Sequence, residues 1–411
     1  MAAEKGQRGC GGNGSDVRLL CGLIGFTDDS LVKCGRFYPS SCKTGSDRLK
    51  HYCSKFPIVE IDTSHYAIPS QRVVEDWVKS ASAYNNFKFH LKAYGMFTLR
   101  QMAFGQLPHE IRDGLSTSFS GKAFGRSQSI PWETVLNKGF AQVLWGVFNG
   151  RVRLLQKKNM LGLVLFQFQL DFVPNGKNRR WVEYCRAQLP VGTKMGVEFR
   201  CRDWYNVATV PDTTKWLRAT VCVEIVCDEL LHELHRNRKL NPAHSAPSIN
   251  SAVLASTHLG VSDDSLVYVR VHRREGKERL LGSEWCNMWK KRIVEELLKG
   301  SGGGLEREVH FLFGTAWEDQ AVKNANLLYK VVGVDVGEAW RRKFHKNSAL
   351  GRFFKVADKA SAMEELGRSE RGRKKRPAPE AAMKGRKKVV AGRGGVVDKN
   401  QRSLSSFFKS K

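Results

Sequence analysis

Ten cysteines are spread along the 411 residues, but no two form a CxxC pair and none follow the paired spacing of a zinc finger, which argues against a structural zinc site. No run of 18 apolar residues occurs, so no membrane-crossing helix and no membrane partner are expected. The opening segment, MAAEKGQRGCGGNG, lacks the apolar core of a signal peptide; the expectation is an intracellular chain with reduced thiols. HExxH, Ser-His-Asp order and reactive-cysteine motifs are missing too. The glycine run Gly300–Gly304 is not followed by the Lys-Ser/Thr of a phosphate loop and reads as a connector. His232 and His235, three positions apart after Asp228, sit in a Leu-Leu-His-Glu-Leu-His run that commonly forms a solvated helix face, so no metal is expected. The sequence points to no cofactor.

Acidic residues are also short: 40 Asp and Glu against 68 Lys and Arg, a formal charge of +28. Such a surplus attracts polyanions, and nucleic acid is the natural candidate. The surplus is uneven. Residues 367–411 hold 15 Lys and Arg against 3 Asp and Glu, while the rest of the chain is basic but mixed.

What is present is a period. Residues 1–17 are Gly-rich, polar and too weakly hydrophobic to order. Beyond them, short branched-apolar runs alternate with longer helix-prone stretches, the pattern of βα units around a parallel sheet. Eight strands are predicted: Leu19–Phe26, Ile58–Ser64, Phe87–Tyr94, Leu163–Leu170, Lys194–Cys201, Ala219–Asp228, Leu266–His272 and Glu308–Gly314. Eight is the number of a (β/α)₈ TIM-type barrel, an α/β fold, assigned to residues 18–366. Val73, Val74, Trp77 and Val78 within Ser70–Ala83, and Trp285, Trp289, Ile293 and Leu297 within Glu284–Leu298, are predicted core stripes of helices. The long segments Phe97–Met160 and Arg236–Ser265 should hold insertions.

Arg36-Phe37-Tyr38-Pro39, then Leu49, Tyr52 and Phe56, then the run Val59–Tyr66 (VEIDTSHY), resemble the opening signature of the domain of unknown function 72 family of TIM barrels. Phe87–Ala93, Leu165-Phe166-Gln167, Val197–Arg200 with Trp204, Tyr268–His272, and Trp317 with Gln320, Ala321, Asn324 and Ala325 resemble later family elements in the right order. The resemblance covers residues 19–335 and implies the barrel fold without an agreed reaction. His65 stands where the family usually has Phe, and Arg273 where it has Gly.

Functional groups of such barrels gather where strands end. Glu60, Glu198, Asp228 and His272 are the candidate catalytic positions, for general acid or base work. Lys92, Gln167, Arg200, Arg270 and Asn324 are the candidate substrate-binding positions. Carboxylates beside cations and one imidazole suit a phosphodiester, as in a nuclease-like hydrolase. The same residues also suit a closed ion-pair network, and the sequence leaves both open.

Residues 367–400 are too poor in apolar side chains to fold. Their basic clusters Arg373, Lys374, Lys375, Arg376 and Arg386, Lys387, Lys388 resemble a bipartite nuclear import signal, implying an import receptor and a nuclear location; the same charges would also serve as a DNA-binding arm. Gln401, Leu404, Phe407 and Phe408, within residues 401–408, match the box of peptides that dock on proliferating cell nuclear antigen, the replication sliding clamp. One helical turn would gather Leu404, Phe407 and Phe408 into an apolar plug. The combined expectation is a clamp-recruited nuclear protein of DNA replication or repair. A non-catalytic DNA- or nucleotide-binding module and a small-molecule or nucleotide-metabolising barrel are the alternatives.

Overall fold

Runs such as Val-Arg-Leu-Leu-Cys-Gly-Leu-Ile and Leu-Val-Tyr-Val-Arg-Val-His combine β-branched and aromatic residues with few turn formers, and in a parallel sheet they bury both faces. The computed structural model describes residues 17–332 except 85, 120–123, 206–208, 230–260, 273–279, 294–306 and 315–316. In chain order the first elements are β1 (Val17–Ile24), α1 (Asp29–Lys33), α2 (Gly45–Cys53), β2 (Ile58–Ile61), α3 (Gln71–Ala81), β3 (Lys88–Lys92) and α4 (Gly95–Leu99). Next come β4 (Gln101–Ala103), α5 (His109–Ser118), β5 (Ser129–Pro131), α6 (Trp132–Asn137), α7 (Ala141–Lys157), β6 (Leu161–Phe168) and α8 (Gly176–Gln188). The remainder are β7 (Met195–Phe199), α9 (Val210–Ala219), β8 (Cys222–Glu229), β9 (Leu266–His272), α10 (Ser283–Arg292), β10 (Arg307–Gly314) and α11 (Gln320–Val332).

Eight of these strands close into an all-parallel barrel in the order β1-β10-β9-β8-β7-β6-β3-β2, one for each strand predicted from the sequence. Their ends shift by up to a few residues. β2 stops at Ile61 because Asp62–His65 winds into a 3₁₀ turn, pinned by the Ser64 hydroxyl, whose single proton is shared between the carbonyls of Ile61 at 2.7 Å and Lys92 at 2.6 Å. Phe97–Met160 does hold an insertion: the antiparallel pair β4–β5 and helices α5, α6 and α7, anchored by Phe97 stacked on Trp145 at 3.6 Å. In α3, Val74 is buried and Trp77 stacks on Phe89, but Val73 is 40% exposed, so the buried stripe is narrower than predicted.

Leu20, Ile58, Leu163, Leu165, Val223, Ile225, Leu266, Tyr268 and Leu312 fill the barrel interior as an apolar plug. Each such side chain contributes roughly 1.5–3 kcal/mol when fully buried. At the β1–β2 seam the backbones come so close that a Cβ on Gly22 would lie 2.1 Å from the Ile58 carbonyl oxygen, and only glycine fits. The Tyr52 hydroxyl bridges that seam, accepting from Leu23 N at 2.7 Å and donating to Ile58 O at 2.8 Å. Signature residues Tyr52 and Phe56 are therefore scaffold, both fully buried.

The clamp box, both basic clusters, the barrel end between 333 and 366, His232, His235 and the glycine run lie outside the described residues. Among the described residues, no helix is long and apolar enough to cross a membrane.

Candidate functional site at the C-terminal barrel mouth

Strand alternation aims every second side chain inward, and the register decides which of these meet. Gln167 on β6 is the register partner of Glu198 on β7, and its amide nitrogen donates to Glu198 Oε1 at 2.6 Å. Lys92 ends β3, the strand on the other side of β6, and its ammonium donates to Gln167 Oε1 at 2.9 Å. Arg270 on β9 sends its guanidinium into the barrel interior. Its Nε and Nη2 grip both oxygens of Glu60 on β2 at 2.9 and 2.7 Å, and its Nη1 donates to Glu198 Oε2. Arg200, just past β7, donates to Glu198 Oε1 at 3.1 Å, and the Tyr268 hydroxyl donates to Glu60 Oε2 at 3.0 Å. One continuous network thus runs from Lys92 through Gln167, Glu198 and Arg270 to Glu60 and Tyr268.

Glu60, Glu198 and Arg270 are fully buried, so their charges survive only through mutual pairing. Burial alone would raise the Glu198 carboxyl; Arg270, Arg200 and Gln167 instead hold it well below the usual carboxylate range. The Arg270 guanidinium, despite burial, is driven further toward its charged form by Glu198 and Glu60. Lys92 goes the other way: burial first, then the Arg270 charge, bring its amine down to about 8 against the pull of Glu60, Glu198 and Asp62. His65, beneath the same end, falls to about 4 through burial and the Lys92 charge. The hydrogen-bonded network thus brings Lys92, Arg200 and Arg270 together with Glu60 and Glu198, and Asp62 adds a third carboxylate that acts on the Lys92 charge. Among the described residues, no three of His, Cys, Asp and Glu are grouped as metal ligands.

Residues 20–348 match the family described as "Protein of unknown function DUF72". The chain belongs to the DUF72 family. It is 29% identical over 212 residues to the UPF0759 protein YunF of Bacillus subtilis (strain 168), a match covering 51% of this chain and 61% of that relative, so the chain spans about six tenths of the curated relative's length. The fold is similar to that of a DUF72 family protein from Enterococcus faecalis V583, with a TM-score of 0.52 at 18% identity over 77% of this chain and 98% of that one. It also resembles a DUF72 family protein from Thermotoga maritima MSB8, with a TM-score of 0.50 at 21% identity over 77% and 99% of the two chains. In this DUF72 chain the mouth network is assembled from five strands, each carrying the polar residue at or near its C-terminal end.

Six sequence-predicted positions therefore converge: Glu60, Lys92, Gln167, Glu198, Arg200 and Arg270. Asp228, at the end of β8, accepts from two indoles instead, Trp285 at 2.6 Å and Trp289 at 3.0 Å. Asn324 on α11 accepts the Leu281 backbone N–H at 2.9 Å and is buried. The backbone of His272 ends β9, while its side chain lies outside what the structure describes. Tyr268 was missed by sequence reading because it looks like one more core aromatic; its inward parity with Arg270, two residues on, was the available signal. The indoles of Trp285 and Trp289 were likewise read only as core faces.

Proposed function

We propose that this DUF72 chain is a nuclear DNA-maintenance protein, brought to the replication sliding clamp by Gln401, Leu404, Phe407 and Phe408, whose barrel mouth takes a DNA phosphate. The observation that carries the barrel half of this reading is the buried Lys92 amine at the barrel mouth, whose one hydrogen bond among the described residues is to a neutral amide and which makes no ion pair among them. A phosphate oxygen is a counter-charge that such an amine, when protonated, would pair with. The overall charge of +28 would draw DNA toward it. The basic clusters of the tail support a nuclear address.

Arg270 occupies both carboxylates. Glu60 and Glu198 in that state orient a cation, which favours DNA binding over phosphodiester hydrolysis by a carboxylate pair. The recruitment half is tested by calorimetry of a synthetic peptide spanning Lys399–Lys411 with purified clamp. Saturable binding is expected; Phe407→Ala with Phe408→Ala should abolish it, since buried aromatic anchors supply about 2 kcal/mol or more each, and Leu404→Ala should weaken it less. Absence of saturable binding at high micromolar peptide would sink the recruitment reading. The barrel half is tested separately by salt-dependent binding of duplex DNA to the full chain, with Arg200→Ala expected to reduce both affinity and salt slope.

A further inference from the structure

A buried lysine is ordinarily paired with a carboxylate. Lys92 is 7% exposed, yet among the described residues its ammonium makes one hydrogen bond, to the amide oxygen of Gln167, and no ion pair. The two nearby buried carboxylates, Glu60 and Glu198, are held by Arg270 instead. The amine sits at the C-terminal end of a barrel strand, the position from which side chains of this fold reach substrates. Asp62, in the turn that follows β2, is half-buried, acts on the Lys92 charge and has no hydrogen-bond or ion-pair partner among the described residues.

We propose that Lys92 is a nucleophilic amine that forms an imine with an aldehyde, and that the aldehyde is the open-chain C1′ carbonyl of an abasic deoxyribose in DNA. The DNA source rests on the function proposed above; the amine chemistry does not. The lowered basicity of the amine, about 8, keeps a usable neutral fraction near physiological pH. In the first step the nitrogen lone pair attacks C1′, the carbonyl oxygen takes up protons, and water leaves to give the iminium. Asp62 then removes a C2′ proton. The C–H electron pair enters the C1′–C2′ bond while the iminium π pair moves onto nitrogen, giving an enamine. The enamine returns its electrons, the C3′–O bond breaks, and the 3′ phosphate departs as the 5′-phosphate end of the downstream strand. Water adds to the remaining imine, freeing an unsaturated aldehyde and the Lys92 amine. Water is the only co-reactant. An abasic residue suits an enclosed mouth because it has no base to unstack before its sugar turns outward.

The full chain is incubated with sodium borohydride and either a duplex oligonucleotide carrying one abasic site or glycolaldehyde as a small aldehyde. The expected result is a covalent adduct with both, mapped by peptide mass spectrometry to Lys92, and reduced at least tenfold in K92R and K92M. Asp62→Asn should leave trapping intact while slowing strand cleavage at least tenfold. An adduct at Lys92 with glycolaldehyde alone overturns the DNA source and keeps the amine. No adduct at Lys92 with either aldehyde overturns the proposal, and because mapping is done on the unmodified chain, a variant that fails to fold does not obscure the answer. Failure of the clamp peptide to bind would leave a Lys92 adduct unexplained by recruitment but chemically sound.

Discussion

The two ends of the barrel are both polar, and they are built on opposite plans. At the C-terminal mouth, Arg270 sits between Glu60 and Glu198, all three fully buried, and every donor of the guanidinium that the network uses is aimed at a carboxylate. At the N-terminal end, two buried imidazoles, His90 and His310, stand 5.1 Å apart between ring centres. His90 accepts the Leu163 N–H on Nδ1 at 3.1 Å, so its proton is on Nε2, and that atom and His310 Nδ1 are buried without a hydrogen bond among the described residues. Glu308, one-third exposed, takes His310 at 2.9 Å and Arg18 at 3.0 Å. Burial, then the neighbouring His310 and Lys88, push the His90 imidazole well below its ordinary range and keep it neutral. One end concentrates charge and pairs it; the other buries two imidazoles, of which His90 is held neutral, and each keeps one ring nitrogen without a hydrogen bond among the described residues. Removing a partner from the first leaves an uncompensated buried charge, a larger loss than that of a single neutral hydrogen bond at the second.

That difference can be broken most severely at Arg270. Arg270→Met leaves buried Glu60 with the Tyr268 hydroxyl and buried Glu198 with Arg200 and Gln167, and a loss of roughly 3–5 kcal/mol is expected from chemical denaturation of the full chain. A loss under about 1 kcal/mol would mean that the network relaxes by taking in water, and the contrast between the ends would vanish.

A smaller effect should come from acid. His65 titrates near 6.5 in an unfolded chain and near 4 in the fold, where burial and the Lys92 charge oppose protonation. Above pH 6.5 both states are neutral and nothing is lost. As pH falls from 6.5 toward 4, the unfolded chain gains a proton that the folded chain refuses, so stability drops by about 1.4 kcal/mol per pH unit from this group. His65→Phe, which restores the aromatic usual in the family, should recover about 2 kcal/mol of the difference between pH 7 and pH 5. His90, at the other end, should keep part of the acid slope in that variant. A melting profile unchanged by the substitution would show that the mouth does not govern acid lability.

The smallest change is expected at Glu308. Glu308→Gln keeps the shape, retains an acceptor for Arg18 and His310, and sits near water, so about 1 kcal/mol or less should be lost. A loss approaching that of Arg270→Met would mean that the two ends are built alike after all.

The barrel was legible because parallel strands buried on both faces leave near-continuous apolar runs, as at Leu163–Phe168 and Leu266–Val271. The antiparallel pair β4–β5 was not: three-residue strands, Gln-Met-Ala and Ser-Ile-Pro, are too short to show alternation. At the mouth, charged residues interrupting apolar strand ends announced Glu60, Lys92, Glu198 and Arg270, but pairing across the interior is a matter of closure. Arg270 and Glu60 lie 210 residues apart, on strands separated in the barrel by β10 and β1. The N-terminal histidines escaped notice because a single His in an apolar strand carries no sign of which neighbour it will face. Asp228 looked like a free carboxylate until two tryptophans read as core turned their indole nitrogens to it.

Gln167 gives the mouth a direction. Its amide has one acceptor end and one donor end, and the structure spends the acceptor on an ammonium and the donor on a carboxylate. Turning the amide over would set NH₂ against ammonium and oxygen against carboxylate, so the side chain has a single usable orientation, dictated from both sides. When the Lys92 amine gives up its proton it still has two hydrogens to offer the same oxygen, and no heavy atom needs to shift. The mouth can therefore change one charge while holding its shape.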